Sequence, residues 1–271
     1  MIGGFGALLV LAYFPILKNL VAQWSADEDM GHGFFVPVVA GYIAWKLRPR
    51  LAAARIRTNY LGLVLLVWGA IQVTLGVVGV ELFLQRTAFI FSLVGLVVFL
   101  AGIEATAILS FPLVLLVFMV PIPTIVLTQI TFPLQLLASR LGEFLLLLCG
   151  IPVLREGNVL ELASQKLSVV EACSGIRSLL SLSFLALVYA YFFDNRAWMR
   201  VFLLLATAPI AISANAARIF LTGLLTEYDA KLAQGFLHGA QGWVLFMVAL
   251  GLLILTHRLT CRILRVSRAR Q

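Results

Sequence analysis

The segment EACSGIRSL, residues 171–179, places a cysteine just before an apolar run. A thiolate is a strong nucleophile, and the partial positive charge at a helix N-terminus favours the thiolate over the thiol. Cys173 at the mouth of a predicted helix therefore indicates covalent chemistry at a carbonyl carbon. Ser174 is a second conceivable nucleophile, although the thiol is the better one at neutral pH. The structural alternative is that Cys173 packs as a small hydrophobe.

Three polar residues farther along the chain have the types that such chemistry needs. His238 could accept the proton of the nucleophile and return it to a leaving amine. Arg218 could stabilise the oxyanion that forms when a carbonyl is attacked. Asn215 lies one turn before Arg218, and could orient the guanidinium or donate to the oxyanion. The alternatives are that Arg218 snorkels at a helix end and that His238 caps a helix or contacts a headgroup.

The composition places these residues in a membrane protein. The chain has 271 residues, of which 62% are hydrophobic and 12% are charged, whereas soluble domains carry about 25% charged residues. The sequence predicts a single domain over 1–271, an all-α polytopic membrane protein with about eight transmembrane helices. With about 20 apolar residues per crossing, the predicted spans are 3–22, 33–47, 60–80, 86–102, 107–122, 176–193, 201–222 and 240–257.

The segment 123–175, between the fifth and sixth predicted spans, is more than a loop. Its first part, TFPLQLLASRLGEFLLLLCG, predicts an apolar helix that lies in the interface or enters the membrane partway. Its second part, VLREGNVLELASQKLSVVEA, alternates in hydropathy and has turn residues at 156–158 and 163–165. We therefore predict short extracytoplasmic strands in this part.

The basic residues predict the orientation in the membrane. They cluster after the second span, between the sixth and seventh spans, and in a tail at 258–271, so with eight spans these segments and both termini are cytoplasmic. The net charge of +8 is thus explained by orientation and by contact with anionic membrane lipids, not by binding of nucleic acid. His257 is interpreted as one of these cytoplasmic basic residues.

The same topology brings the reactive residues to the outer face of the membrane. Cys173 precedes span six, Arg218 lies near the outer end of span seven, and His238 precedes span eight. His32 ends the first outer loop and therefore lies at the same face. The sequence leaves its role open. Arg177, one turn into span six, contacts either a headgroup or a substrate carboxylate, and Glu171 is a supporting candidate beside the thiol.

The cysteine pattern argues against a metal centre. The three cysteines, Cys149, Cys173 and Cys261, include no CxxC pair, and the sequence has no histidine-rich cluster. We expect no metal and no cofactor. Cys149 and Cys261 are expected to be inert, because one lies in an apolar helix and the other in the basic cytoplasmic tail.

Several of these segments together resemble the exosortase/archaeosortase family, here the bacterial exosortases. The resemblance rests on VVEACSGIRSLLSL, ANAARIF, HGAQGW and the early MGHGFFVPVVAGYIAW, in that order, and it covers nearly the whole chain. It implies a multispanning enzyme that processes C-terminal sorting signals of exported proteins, each built from a short motif of the Pro-Glu-Pro type, a membrane helix and a basic tail.

The resemblance also implies roles for individual residues. Cys173 would be the nucleophile, Arg218 the transition-state stabiliser and His238 the acid and base, while His32 would be the family's early histidine. The implied enzyme is a cysteine transpeptidase or protease at the outer face of the bacterial inner membrane, acting through a thioacyl intermediate. Neither the resemblance nor the residues decide between water and an amine as the acceptor.

Two other classes of membrane protein compete with this interpretation. A transporter would place polar residues near the midplane of the bilayer, where the predicted spans have almost no charge. A lipid-linked acyltransferase of cell-envelope assembly stays open as another enzyme class. A metalloprotease would need ligand spacing such as HExxH, which the sequence lacks. The sequence makes no prediction of the oligomeric state.

Overall fold

The computed structural model of the chain describes residues 2–163, 165–168, 176–228 and 236–269. By internal contacts the chain divides into two compact units, Met1–Pro123 and Thr124–Gln271. The first unit contains two 3-10 helices, Glu28–Phe34 and Leu116–Met119. Its α-helices are α1 (Ile2–Ala12), α2 (Phe14–Ala26), α3 (Phe35–Lys46), α4 (Arg48–Ala53), α5 (Leu61–Val78), α6 (Leu82–Ile108) and α7 (Ser110–Leu115).

Small residues let α5 and α6 of the first unit pack backbone against backbone. A β-carbon on Gly62 would collide with the backbone of Phe99, and one on Gly95 with the backbone of α5. In an apolar solvent such close approach is a main source of helix association, because dispersion contacts replace the missing hydrophobic effect. Helix α6 breaks at Gly102, whose φ of +86° lies outside the helical region. The predicted end of the fourth span at residue 102 coincides with this break.

The second unit combines long helices with a small sheet. Its helices are α8 (Thr124–Leu148), α9 (Ile176–Phe193), α10 (Ala197–Tyr228) and α11 (Phe236–Ala269). The strands β1 (Val153–Glu156), β2 (Val159–Leu162) and β3 (Lys166–Ser168) form an antiparallel sheet in the order β1-β2-β3. The predicted strands and the turn between β1 and β2 are therefore confirmed.

Two apolar cores hold the second unit together, and α10 contributes to both. The first joins α8, the sheet and α10, where Ile219 packs beside Leu146 and Leu160. The second joins α9, α10 and α11 around residues such as Leu203 and Leu253. Because α10 lies in both cores, it fixes the position of the sheet and of the ends of α9 and α11.

The structure confirms a mostly helical membrane protein but does not support eight spans. Among the described residues, five helices are long and apolar enough to cross a membrane, or six if the pair α1 and α2, bent by 72°, counts as one span. The predicted span 33–47 contains only the 12-residue α3. That helix is about 18 Å long, whereas the hydrocarbon core is about 30 Å thick. The predicted span 107–122 is broken between α7 and a 3-10 helix.

Two further segments differ in length from the prediction. Helix α8 was expected to lie in the interface or to enter the membrane partway, yet its 25 residues are enough for a full crossing. The basic residues after 257 do not form a separate tail in the described chain, because α11 continues without a break to Ala269.

Candidate active site

A narrow cavity lies where α9, α10 and α11 meet. Its volume is about 10 Å³, room for about one water molecule. Its polar lining comes from Ser178 in the first turn of α9 and from Asn215 and Arg218 of α10, and Leu245 and Phe246 of α11 supply apolar walls. The cavity is therefore mostly apolar with a few convergent polar groups, which is the usual composition of a small binding site.

Arg218 is fitted against α11 at a glycine. A β-carbon on Gly242 would lie 3.0 Å from the guanidinium Nη2 of Arg218, so only glycine leaves the arginine its full space. Within the described part of the chain, this guanidinium makes no hydrogen bond or ion pair. Its positive charge and its planar set of donors are thus available to an anionic group in the cavity.

Asn215 contributes an unsatisfied acceptor to the same cavity. The residue is only 8% exposed, and its Oδ1 has no hydrogen-bond partner among the described residues. Leaving such an oxygen buried and unpaired costs about 1–3 kcal/mol. A donor that enters the cavity, such as a peptide N–H, would remove this cost.

A polar stripe continues from Arg218 along α10 and holds its neighbours in place. Thr222 donates to Gln241 Oε1 of α11 at 3.3 Å, and Gln165 Nε2 at the edge of the sheet donates to Thr226 at 3.4 Å. Both threonines are buried. Sequence reasoning missed these positioning contacts, although the spacing of three, four and four residues from Asn215 places the whole stripe on one helix face.

The predicted nucleophile and base fall outside what the structure describes. Cys173 and Glu171 lie outside the described residues. For Arg177 and His238 the helical backbone is described, in α9 and α11 respectively, but the side chains are not. Position 238 lies four residues, about one turn, before Gly242 on the same helix. The predicted convergence of Cys173, Arg218 and His238 therefore stays a prediction.

His32 lies in the 3-10 helix Glu28–Phe34 of the first unit, and it is buried. Burial lowers the pKa of its imidazole, while hydrogen bonds to the backbone of Phe118 and Asp29 act in the opposite direction. The lowered pKa favours the neutral ring at neutral pH. Trp24 of α2 also contacts the 3-10 helix Leu116–Met119, since its indole N–H donates to the Met119 carbonyl at 3.0 Å. These contacts give His32 a role in joining the two 3-10 helices.

The family assignment comes from comparison of the whole chain. The family model described as transmembrane exosortase matches residues 24–255, which include the cavity, the polar stripe and the early histidine. Comparison with curated proteins gives no match, and neither does comparison with solved structures. The match extends over most of the chain, and we conclude that the protein belongs to the transmembrane exosortase family.

Proposed function

We propose that this protein is a membrane-embedded cysteine transpeptidase or protease that cleaves C-terminal sorting signals of exported proteins. The substrate signal would consist of a Pro-Glu-Pro type motif, a membrane helix and a basic tail. The observation that carries the proposal is the cavity in which the first turn of α9 meets Arg218 and Asn215 beside α11. Membership in the transmembrane exosortase family supports the class of reaction.

The length of chain between Cys173 and the cavity supports the thiol as the nucleophile. Cys173 lies three positions before Ile176, the first residue of α9. Three residues span at most about 11 Å, and Ser178 in the first turn of α9 lines the cavity. This length of chain would allow the thiol to reach the cavity mouth, which supports Cys173 as the proposed nucleophile.

In the proposed reaction the Cys173 thiolate attacks the scissile carbonyl carbon and a carbon–sulfur bond forms. The carbonyl oxygen becomes anionic, and the Arg218 guanidinium stabilises this charge. Collapse of the intermediate breaks the carbon–nitrogen bond, and His238 gives the leaving amine the proton it took from the thiol. Water or an acceptor amine then attacks the thioacyl carbon and passes a proton to His238. The carbon–sulfur bond breaks, the new acid or amide leaves, and His238 returns the proton to the Cys173 sulfur.

Asn215 and Gly242 would support this mechanism by positioning the substrate and the Arg218 guanidinium. The unpaired Asn215 Oδ1 can accept a hydrogen bond from a backbone N–H of the substrate and so orient the peptide. Gly242 leaves the space in which the arginine reaches the cavity. Since misplacement of a reacting group by about 1 Å can cost roughly a hundredfold in rate, these contacts matter although neither residue reacts.

The proposed location is the bacterial inner membrane, with the cavity on the periplasmic side. Basic residues at 46–57, at 196–200 and after 257 support cytoplasmic placement of those segments. The site would then face exported proteins whose sorting signals still lie in the membrane. Membrane lipids and these exported proteins are the proposed partners.

The proposal is tested by coexpression with a reporter that ends in Pro-Glu-Pro, an apolar helix and several arginines. The native chain should shorten the reporter, and Cys173→Ala should abolish the shortening while the protein still inserts. Cys149→Ala is the matched control, because this thiol is exposed after α8 and should be silent. Shortening by Cys173→Ala at the native rate would remove the thiol mechanism and favour a transporter.

A further inference from the structure

A second polar cluster lies at the opposite end of α10 from the cavity. At about 1.5 Å per residue, Arg218 is roughly 30 Å along the helix from its first residue, Ala197. The cluster is built from Asp194, in the turn between α9 and α10, and from His257 and Cys261 of α11. Asp194 and His257 are buried, and Cys261 is partly exposed. The sequence analysis interpreted His257 as one of the cytoplasmic basic residues and Cys261 as an inert residue of the basic tail.

The three side chains direct one donor atom each towards a common point. His257 Nε2 lies 3.2 Å from Asp194 Oδ2. Cys261 Sγ lies 3.4 Å from His257 Nε2 and 3.7 Å from Asp194 Oδ2. Around a tetrahedral zinc ion, donors at about 2.0–2.3 Å from the metal are roughly 3.3–3.6 Å from one another. The observed spacing therefore approximates one face of a tetrahedral site.

The arrangement does not fit a Cys-His-Asp catalytic triad. Such a triad needs the nucleophile and the carboxylate on opposite nitrogens of the imidazole. Here both Cys261 and Asp194 face Nε2, and Nδ1 lies 3.0 Å from the Tyr189 hydroxyl. In the tautomer that donates Nδ1–H to Tyr189, Nε2 presents its lone pair between the thiol and the carboxylate. A hydrogen-bonded outer nitrogen is the usual support of a metal-ligating histidine.

Arg196 supplies positive charge at the same point. Its guanidinium donates to both oxygens of Asp194, at 2.9 and 2.6 Å, and Nη2 lies 3.0 Å from Cys261 Sγ. The arginine and a metal ion would compete for Oδ2 and Sγ, although the arginine can keep Oδ1 when a metal takes Oδ2. Because the Arg196 side chain is about one third exposed, it also marks the accessible side of the cluster.

We propose that Asp194, His257 and Cys261 form a binding site for a Zn²⁺-like transition-metal ion, with Arg196 as the competing cation. One carboxylate, one imidazole and one thiolate are a donor set that suits zinc, and the fourth position stays open to water. Bound metal would fasten the turn between α9 and α10 to α11. The site is separate from the proposed peptidase site, so either can exist without the other.

Cobalt(II) is the probe for this site in the purified full-length protein in detergent. One equivalent of Co²⁺ should give a thiolate-to-cobalt charge-transfer band and the visible bands of a four-coordinate ion, and Zn²⁺ should displace it. Cys261→Ser should lose the charge-transfer band, and His257→Gln should lose saturable binding. Cys149→Ser should keep both signals, because this thiol follows α8 and is not part of the cluster.

Two variants separate a metal site from a simple hydrogen-bond network. Arg196→Gln should bind Co²⁺ more tightly than the native chain, because the competing charge is gone. Tyr189→Phe should bind it about tenfold more weakly, the usual size of an outer-shell effect. Without any variant, Zn²⁺ should protect Cys261 of the native chain from N-ethylmaleimide, as read by mass spectrometry. No saturable Co²⁺ binding by the native chain, or no protection of Cys261, would overturn the proposal.

Discussion

The Arg218 guanidinium of α10 lies against Gly242 of α11, close enough that a side chain there would displace it. A β-carbon added to Gly242 would be 3.0 Å from Nη2. The glycine of the segment HGAQGW thus sets the position of an arginine from the distant segment ANAARIF. The two helices are joined again one turn further along α10, where the Thr222 hydroxyl donates to Gln241 Oε1.

Gly242→Ala should therefore lower the rate of signal processing without preventing insertion. The new methyl group forces the flexible guanidinium to move by a few tenths of an ångström, and we expect a loss of roughly severalfold. Gly251→Ala is the matched control on the same helix, since a β-carbon there meets nothing within 4 Å. Processing of the reporter by membranes with equal amounts of each variant measures the effect. Equal loss in both variants would contradict the role of Gly242.

Asn215→Leu should separate activity from stability. The change removes a buried oxygen that has no partner among the described residues, so the melting temperature should stay the same or rise. Processing should fall, because the substrate loses its acceptor. Ser183→Ala is the comparison, because it breaks the buried hydrogen bond of 3.1 Å between Ser183 and Thr207. That variant should melt slightly lower and process normally, and the reverse pattern would argue that Asn215 is only structural.

Arg218→Lys should fail to process the reporter although it keeps the charge. An ammonium group lacks the planar fork of donors and reaches a different position beside Gly242. Arg140→Lys is the matched control, because Arg140 is an exposed arginine of α8. Normal processing by Arg218→Lys would show that the charge alone is sufficient, and it would weaken the oxyanion role.

The side of the membrane that Cys173 faces can be tested with a membrane-impermeant maleimide. A variant that keeps only this cysteine should be labelled in intact spheroplasts if the proposed periplasmic placement is right. A variant that keeps only Cys261 should be labelled after permeabilisation, because it lies at the other end of the helices that line the cavity. Labelling of Cys173 only after permeabilisation would reverse the proposed orientation.

Acid should lower the stability of the fold partly by protonating Asp194. The hydrogen bonds from Arg196 hold the pKa of this carboxyl well below its usual range, although burial acts in the opposite direction. A depressed pKa stabilises the fold above the unfolded-state value of about 3.9, and this stabilisation is lost as the pH falls towards the folded-state value. Asp194→Asn should melt lower at pH 7 and lose less stability between pH 5 and pH 3.

Glu161→Gln is the control for this acid effect. The ion pair between Glu161 and Lys166 is exposed, and exposed pairs contribute little to stability. Its melting curve should follow that of the native chain at each pH. If Asp194→Asn shows the same pH dependence as the native chain, the carboxyl is not the group that titrates.

The membrane class, the strands and the common helix face of Asn215 and Arg218 were readable from the sequence. Long apolar runs with little charge require a bilayer, whatever the packing. The alternation and turn residues of 153–168 predict strands because they follow a local period of two. Asn215 and Arg218 were placed together by helix periodicity alone. Each of these predictions depends on neighbours in sequence, so each could be made without the fold.

The number of spans and the polar cluster at the far end of α10 depended on the tertiary structure. Hydropathy cannot distinguish a complete span from the 12-residue α3, because both are apolar and only the helix ends differ. His257 and Cys261 looked like parts of a basic tail until α11 continued through them and packed them against Asp194. The space that Gly242 leaves for Arg218 also depends on how α10 and α11 pack together. Contacts between residues far apart in sequence arise only when helices pack, and no local pattern encodes them.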